Sequence, residues 1–231
     1  MTFYSENSDE WYFSDNWRKE RHELNQVDVT LLTVDKANTH PISELVIKGC
    51  SNNYNTESMK PRIIEDYHYY CIPYELGEEI QDGLEPETII SKLINDNLRN
   101  PFFIASTNPK LCCFGECSYI NDDVIWGFSS QHIDVPFLIF DDKKEIFALI
   151  DYDLPLQIIG YKKNIIDNND YIKNKVGQTG WNNIFNKYSR YSNMPYIFKE
   201  YYKFLLPKNV ASFLDSVEIP APNRPPHNLI L

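Results

Sequence analysis

The sequence predicts an α+β fold, with a mainly antiparallel β-sheet body and C-terminal helices packed on it. Short runs rich in β-branched and aromatic residues recur between residues 27 and 161. Apolar residues at helical spacing occur in one window near residues 85–98 and again after residue 162. We therefore expect an N-terminal aromatic and charged arm (1–26), an acidic β-rich body (27–161), a basic, aromatic helical segment packed on the body (162–219) and a Pro-rich tail (220–231).

Strands are predicted wherever such a run is bounded by Asn, Pro, Gly or Asp. The first three runs are VDVTLLTV from Val27, ELVIK from Glu44 and RIIEDYHYYCIPY from Arg62. The later runs are FFIAS from Phe102, LCCFGECSYI from Leu111, DVIWGFS from Asp123, FLIF from Phe137, EIFALIDY from Glu145 and LQIIGY from Leu156. Residues 141–144 separate two of these runs and read DDKK, which is typical of a hairpin turn.

Helices are predicted in three places. Pro86 suits a first helical position, and Ile90, Leu93 and Ile94 lie on one apolar stripe of the window near 85–98. Aromatic residues follow helical spacing between Trp181 and Leu206, with an interruption at Pro195. A last short helix is expected to begin at Pro207.

The charge is unevenly distributed. The chain of 231 residues carries 33 acidic and 22 basic side chains, a formal net charge of −11. Residues 1–157 hold 28 acids and 12 bases, whereas residues 158–231 hold 5 acids and 10 bases. A chain that coats nucleic acid normally carries the opposite sign, so we expect no direct nucleic-acid binding. The acidic body favours a basic partner, or it attracts the basic segment of the same chain.

Cysteines could support a metal site or a nucleophile. Cys112, Cys113 and Cys117 are clustered, but no C-x-x-C pair exists, so we expect neither a metal ion nor another cofactor. A hydrolase that uses Cys117 with His132 and Asp151 stays an alternative. We expect no catalytic residue, because the chain contains no catalytic signature.

Carboxylates near the predicted hairpin offer a second alternative. Asp141, Asp142, Asp151 and Asp153 could act as acid and base or hold Mg²⁺. A metal-dependent nuclease pattern would need a lysine two residues after the second acid, and Ile146 and Phe147 follow Glu145 instead. We therefore interpret these acids as turn and strand-end residues that are exposed to a partner.

A third alternative is an RNA-contacting accessory protein. Gly177, Gln178, Thr179 and Gly180 form a G-x-x-G motif in the basic region, close to Lys173 and Lys175. Such a loop clamps a nucleic-acid backbone in KH domains. A helix C-cap explains the same glycines.

Acidic and aromatic residues are interleaved along the body, and this is the pattern on which the leading hypothesis depends. Carboxylates give steering and specificity toward a basic partner, while Tyr and Trp provide buried anchors. The partner-binding residues that we predict are Asp66, Tyr67, Tyr69, Glu78, Glu79, Asp82, Asp122, Asp123, Trp126, Asp141, Asp142, Asp151, Tyr152 and Asp153.

In its length, acidity, aromatic content and lack of a catalytic motif, the chain resembles the cytosolic immunity proteins of bacterial toxin and immunity pairs, such as those of contact-dependent growth inhibition. The resemblance lies in composition, and no residue of the chain can be given a role from a family motif. It implies a non-enzymatic protein that binds a basic toxin domain, often an RNase or a DNase, and blocks its active cleft. The sequence shows no signal peptide and no apolar run of membrane-spanning length, so we expect a cytoplasmic protein without a membrane partner.

Overall fold

The fold is described from a computed structural model, which covers fifteen separate stretches of the chain. The described residues are 3–4, 24, 26–48, 59–61, 64–73, 86–97, 101–107, 113–131, 136–151, 156–162, 196, 199, 203, 208–216 and 218–219.

Nine strands are present in this part of the chain, and seven of them form one antiparallel sheet. The strands are β1 (Val29–Leu31), β2 (Val46–Lys48), β3 (Met59–Pro61), β4 (Tyr67–Pro73), β5 (Phe102–Ser106), β6 (Phe114–Cys117), β7 (Phe137–Asp141), β8 (Ile146–Asp151) and β9 (Leu156–Lys162). The order in the large sheet is β1-β6-β5-β7-β8-β9-β4, and β2 pairs with β3 separately. The predicted α+β class with a mainly antiparallel sheet is thus confirmed.

Four α-helices and one 3-10 turn accompany the described strands. They are α1 (Val34–Ala37), the 3-10 turn Ile42–Glu44, α2 (Pro86–Asn97), α3 (Asp122–Gln131) and α4 (Lys208–Ser216). The helix predicted near 85–98 is α2, and the helix predicted after Pro207 is α4. The helical pattern between Trp181 and Leu206 lies almost entirely outside the described residues.

Both faces of the sheet are buried, because the central strands are apolar at consecutive positions. All five residues of β5 and all five of β7 are buried. Successive side chains of a strand point to opposite faces, so such strands need a cover on each side. We call the side that packs against α2 and α3 the helical face, and the side that packs against α1 and the 3-10 turn the α1 face.

The helical face is a cluster of aliphatic and aromatic side chains. Alternate residues of β5 and β7 meet Ile90 and Ile94 of α2 and Val124, Ile125 and Phe128 of α3. The rings of Phe128 and Phe137 lie 5.1 Å apart. These contacts explain the spacing of the apolar residues in the two helices.

The α1 face has its own cluster, in which aromatic rings predominate. Phe103, Phe114, Phe140 and Phe147 are buried here together with Val34 and Ala37 of α1. Tyr4 and Leu214 are also buried in this cluster; they lie far apart in the chain. Tyr4, near the start of the chain, is therefore part of the core, and Phe3 packs against it.

One sequence-based assignment was wrong. The run DVIWGFS from Asp123 was expected to be a strand, and it forms most of helix α3. Asn121 caps this helix, since its Oδ1 accepts a hydrogen bond from the Val124 backbone N–H at 2.8 Å. Asp122 and Asp123 occupy the first turn, where the helix dipole favours negative charge.

Four other strands are shorter than predicted. The run from Glu44 is a strand at Val46–Lys48, and the run from Arg62 is a strand at Tyr67–Pro73 after a turn at residues 65–66. The run from Val27 is a strand only at Val29–Leu31, because Thr33 caps α1 by accepting a hydrogen bond from the Lys36 N–H. In the described part of the run from Leu111, the strand comprises Phe114–Cys117.

A glycine in β9 leaves room for an aromatic ring of β8. Gly160 lies opposite Phe147, and a Cβ atom at Gly160 would come within 2.4 Å of the Phe147 ring. The ring lies over the glycine and contacts Tyr67 and Tyr69 of β4, with ring centroids 6.1 and 6.4 Å away.

Replacing this glycine tests the packing. Gly160→Ala should lower the free energy of unfolding by about 1–3 kcal/mol, because Phe147 must leave its position. Gly127→Ala is the matched control, since among the described residues the new Cβ would meet only the Val27 side chain, at 3.3 Å, and alanine favours a helix by about 1 kcal/mol. Denaturant unfolding measures both. Equal effects of the two substitutions would contradict the assigned contact.

Candidate functional site

A polar cleft lies where α2 approaches the start of α3. It encloses about 600 Å³ and is open to solvent. Its walls are polar or charged except for one tyrosine ring. The lining residues are Ser91, Lys92, Asn95, Asp96, Tyr119, Asn121, Asp122 and Asp123.

Two polar contacts hold the walls of the cleft together. The Ile120 N–H donates to Asn95 Oδ1 at 3.1 Å, and Asn95 Nδ2 donates back to the Ile120 carbonyl. Ser91 Oγ donates to Asp122 Oδ1 at 3.0 Å. The loop before α3 is therefore fixed to α2, and the cleft exists before any ligand arrives.

The cleft concentrates negative charge around an exposed ring. Asp96 and Asp123 are exposed and Asp122 is half-buried, whereas Lys92 is the one basic group in the lining. Tyr119 is 58% exposed although the neighbouring Ile120 is fully buried. Asp122 and Asp123 also stabilise the helix dipole, so the arrangement serves the fold as well. A cationic side chain would meet carboxylates and an aromatic face here.

The structure brings only part of the predicted site together. Asp122 and Asp123 line the cleft, and Trp126 belongs to the same helix, although its side chain is not among those described. Asp151 is the last residue of β8, and its side chain is likewise not described. Five predicted residues lie outside the described part of the chain: Glu78, Glu79, Asp82, Tyr152 and Asp153.

Two of the predicted tyrosines, Tyr67 and Tyr69, lie on the other side of the sheet, on the α1 face. Tyr67 is 9% exposed, and its hydroxyl donates to the Lys144 carbonyl. Burial first, and then the negative charge of Asp141, raise the pKa of Tyr67 to about 12. The Tyr69 hydroxyl accepts a hydrogen bond from the Ile64 N–H at 2.9 Å. These rings support the fold, while the nearby Asp66 is exposed.

Asp141 was expected to face a partner from the hairpin turn, and this was wrong. The turn is present, but the residue is only 2% exposed. Its Oδ1 accepts a hydrogen bond from the Glu145 N–H at 2.7 Å and so closes the turn between β7 and β8. The next residue, Asp142, is exposed and lies 3.4 Å from His40 Nδ1.

The predicted partner-binding residues did not include four residues of the cleft in α2, namely Ser91, Lys92, Asn95 and Asp96. They also omitted Tyr119 and Asn121, which precede α3. The signal for the first four was available, because residues 91, 92, 95 and 96 repeat at helical spacing beside the buried Ile90 and Ile94. This spacing does not indicate that the polar side of α2 faces the start of α3.

Cys117 has the properties of a core residue. It is buried, and its thiol lies 3.8 Å from the Phe102 carbonyl. Burial first, and then the charges of Asp28 and Glu116, raise the pKa of Cys117 from 9.0 to about 12. A nucleophilic cysteine needs a depressed pKa and an exposed thiolate. His132, its suggested base, lies outside the described residues.

Among the described residues, no group of three or more His, Cys, Asp or Glu side chains is arranged to hold a metal ion. Cys113 and Cys117 are buried free thiols. The G-x-x-G motif at 177–180, together with Lys173 and Lys175, falls outside the described part. No described helix is both long and apolar enough to span a membrane.

No family model matches the chain, and no curated protein and no solved structure is detectably similar to it. The function is therefore argued from the residues of the chain itself.

The pH dependence of the stability of Asp141 variants tests the role of this residue in the turn. Burial, partly opposed by backbone hydrogen bonds, raises the pKa of Asp141 above its usual 3.8, so ionised Asp141 costs folding free energy. This cost is present above the raised pKa. It disappears as the pH falls through that value to below 3.8.

Asp141→Asn removes the charge and keeps an acceptor oxygen. The stability of this variant relative to the natural protein should be most favourable at neutral pH and should decline steadily toward pH 3.5. Asp141→Ala, which removes the acceptor, should cost about 1–3 kcal/mol at pH 7. Denaturant unfolding across pH measures both. If the Asn variant instead became more stable relative to the natural protein as the pH falls, the assigned direction of the Asp141 pKa would be contradicted.

Alkylation of Cys117 tests its environment. The raised pKa lowers the thiolate fraction at pH 8 about a thousandfold relative to an exposed thiol. Iodoacetamide labelling, resolved by residue with mass spectrometry, should therefore be at least about a hundredfold slower at Cys117 in the folded protein than in strong denaturant. Equal rates would show a reactive thiol and would revive the cysteine hydrolase hypothesis.

Proposed function

We propose that the protein is a cytoplasmic immunity protein that binds a basic toxin domain and blocks it without a catalytic step of its own. The observation that carries the proposal is the cleft, in which three carboxylates surround an exposed tyrosine. Interfaces depend on a few aromatic or arginine anchors, and complementary charge increases the rate of encounter. A nuclease toxin supplies the complementary basic surface.

The distribution of charge supports the same proposal. The excess of 16 acidic side chains in residues 1–157 produces a negative field around the body. Within that field the cleft offers a pre-formed concave surface, because Asn95 and Ser91 already fix its walls. Little ordering free energy is then lost when a partner binds.

We also propose that the basic segment 162–219 packs on the body as helices. Leu214 of α4 is 1% exposed and belongs to the cluster on the α1 face. Lys203 Nζ lies 2.6 Å from Asp215 Oδ1, which links residue 203 to α4. Such packing would leave the cleft open, because the cleft is on the helical face.

The hydrolase and RNA-contacting alternatives have less support. Within the described residues, Cys117 and Asp141 are buried in structural roles, and the residues suggested for RNA contact are not described. No observation on the described residues favours either alternative.

Association with the protein encoded by the neighbouring gene tests the proposal. We expect a tight complex whose association rate constant falls steeply as salt is increased. Asp96→Asn with Asp123→Asn should slow association about tenfold at low salt and flatten its salt dependence. Tyr119→Ala should weaken the complex by about 2 kcal/mol, mainly through faster dissociation.

The matched control removes the same charge elsewhere. Asp35→Asn with Glu218→Gln changes two exposed acids that lie outside the cleft, and it should alter association less than about twofold. Stopped-flow measurements over a salt series give all of these values. Equal effects of the two pairs would make the cleft unimportant, and salt-independent binding or no complex would contradict the proposed function.

A further inference from the structure

We propose that Phe3 and Tyr4 act as a strap that holds the segment from Thr33 to Val46 against the sheet. In this proposal, release of the strap opens the segment while the large sheet stays folded. The inference does not depend on the proposed function.

The strap holds α1 through one asparagine. The backbone N–H groups of Phe3 and Tyr4 donate to Asn38 Oδ1 at 3.1 and 3.0 Å, and Asn38 Nδ2 donates to the Tyr4 carbonyl at 3.3 Å. Asn38 is also the C-cap of α1, where its own N–H donates to the Val34 carbonyl at 2.9 Å. The strap is thus joined directly to the end of the helix.

The Tyr4 side chain joins the strap to the sheet. The residue is 1% exposed, and its hydroxyl donates to the Ser106 carbonyl at the end of β5 at 2.5 Å. Its ring meets Phe114 of β6 edge-on, with centroids 6.2 Å apart. Tyr4 therefore ties the end of α1 to two strands, and both contacts are with residues more than 100 positions after Tyr4 in the sequence.

The segment beneath the strap has little stability of its own. Helix α1 has four residues, far fewer than an isolated helix needs, and it buries only Val34 and Ala37. The rest of the segment buries Ile42, Leu45 and Val46 against the sheet, so its stability comes from this packing and not from the helix itself. The central strands, in contrast, are paired on both sides along their length. Regions with few buried contacts open at a lower free energy than the global core.

The far end of the segment is held by charged groups. Lys144 Nζ forms an ion pair with Glu44, and His40 Nδ1 lies 3.4 Å from Asp142 Oδ1. Between the two ends, the His40 ring covers Phe103 with centroids 4.1 Å apart. Opening at the strap end would pivot the segment about Glu44 and uncover the Phe103 and Phe114 rings.

Hydrogen exchange on the full chain tests the strap. In Tyr4→Ala and in Asn38→Ala, the amides of residues 37–40, which donate within α1 and the turn after it, should exchange at least about tenfold faster than in the natural protein. Amides of Leu138, Phe140 and Leu149 in β7 and β8 should change less than about threefold. Asn38→Ala keeps the test valid if Tyr4→Ala does not fold.

Lys36→Ala is the matched control, since it alters an exposed position of the same helix and should leave exchange at residues 37–40 within threefold. Two results would overturn the strap. In one, the Asn38 variant leaves exchange in α1 unchanged. In the other, it accelerates exchange in α1 and in the central strands equally, which would make residues 3–4 inseparable from global stability.

Discussion

The need to cover a sheet that is apolar on both sides organises the described structure. In β5 and β7 every residue is buried, so neither face of the central sheet can meet water without losing the free energy of burying large aliphatic and aromatic side chains. Helices α2 and α3 cover one face. Among the described residues, the other face is covered by α1, a 3-10 turn, a two-stranded sheet, two residues near the start of the chain and α4, which contributes Leu214. Helix α1 has only four residues in this cover, which is why single side chains such as Asn38 and Tyr4 matter to it.

The same constraint places polar groups in costly surroundings. Asp141 is buried, but it accepts a hydrogen bond within its turn. Gln157 is fully buried, and its amide nitrogen and oxygen have no hydrogen-bond partner among the residues that the structure describes. It stands opposite Ile150 and Ile72 in the sheet. Such an amide costs free energy that a hydrocarbon side chain would not.

Local features of the fold could be predicted from the sequence, and long-range ones could not. The turn at Asp141–Lys144 and helix α2 were indicated by residues within one short window. The pairing of β4 with β9 depends on packing between segments about ninety positions apart, on which no local pattern bears. Helix α3 was missed because Val124, Ile125, Trp126 and Phe128 resemble a strand, and their preference outweighed the capping signal of Asn121 and the two acids that follow it.

The candidate site shows the same division. The acids Asp122 and Asp123 were found because they stand beside aromatic residues in the sequence. Asp96 joins them only because Asn95 hydrogen-bonds to the backbone of Ile120, which no local pattern indicates. Tyr67 and Asp141 were assigned to the surface because composition does not distinguish a polar group that closes a turn from one that faces solvent.

The exposed members of the cleft lie outside both hydrophobic clusters. Lys92, Asp96, Tyr119 and Asp123 belong to neither one, and each can be exchanged without leaving a cavity in either cluster. If the cleft binds a partner as proposed, the contacts to that partner come from side chains that neither hydrophobic cluster needs. Substitutions at these positions would then change the partner while the same sheet is kept, so that selection for a matched pair would act on the rim of the cleft and leave the core almost unchanged.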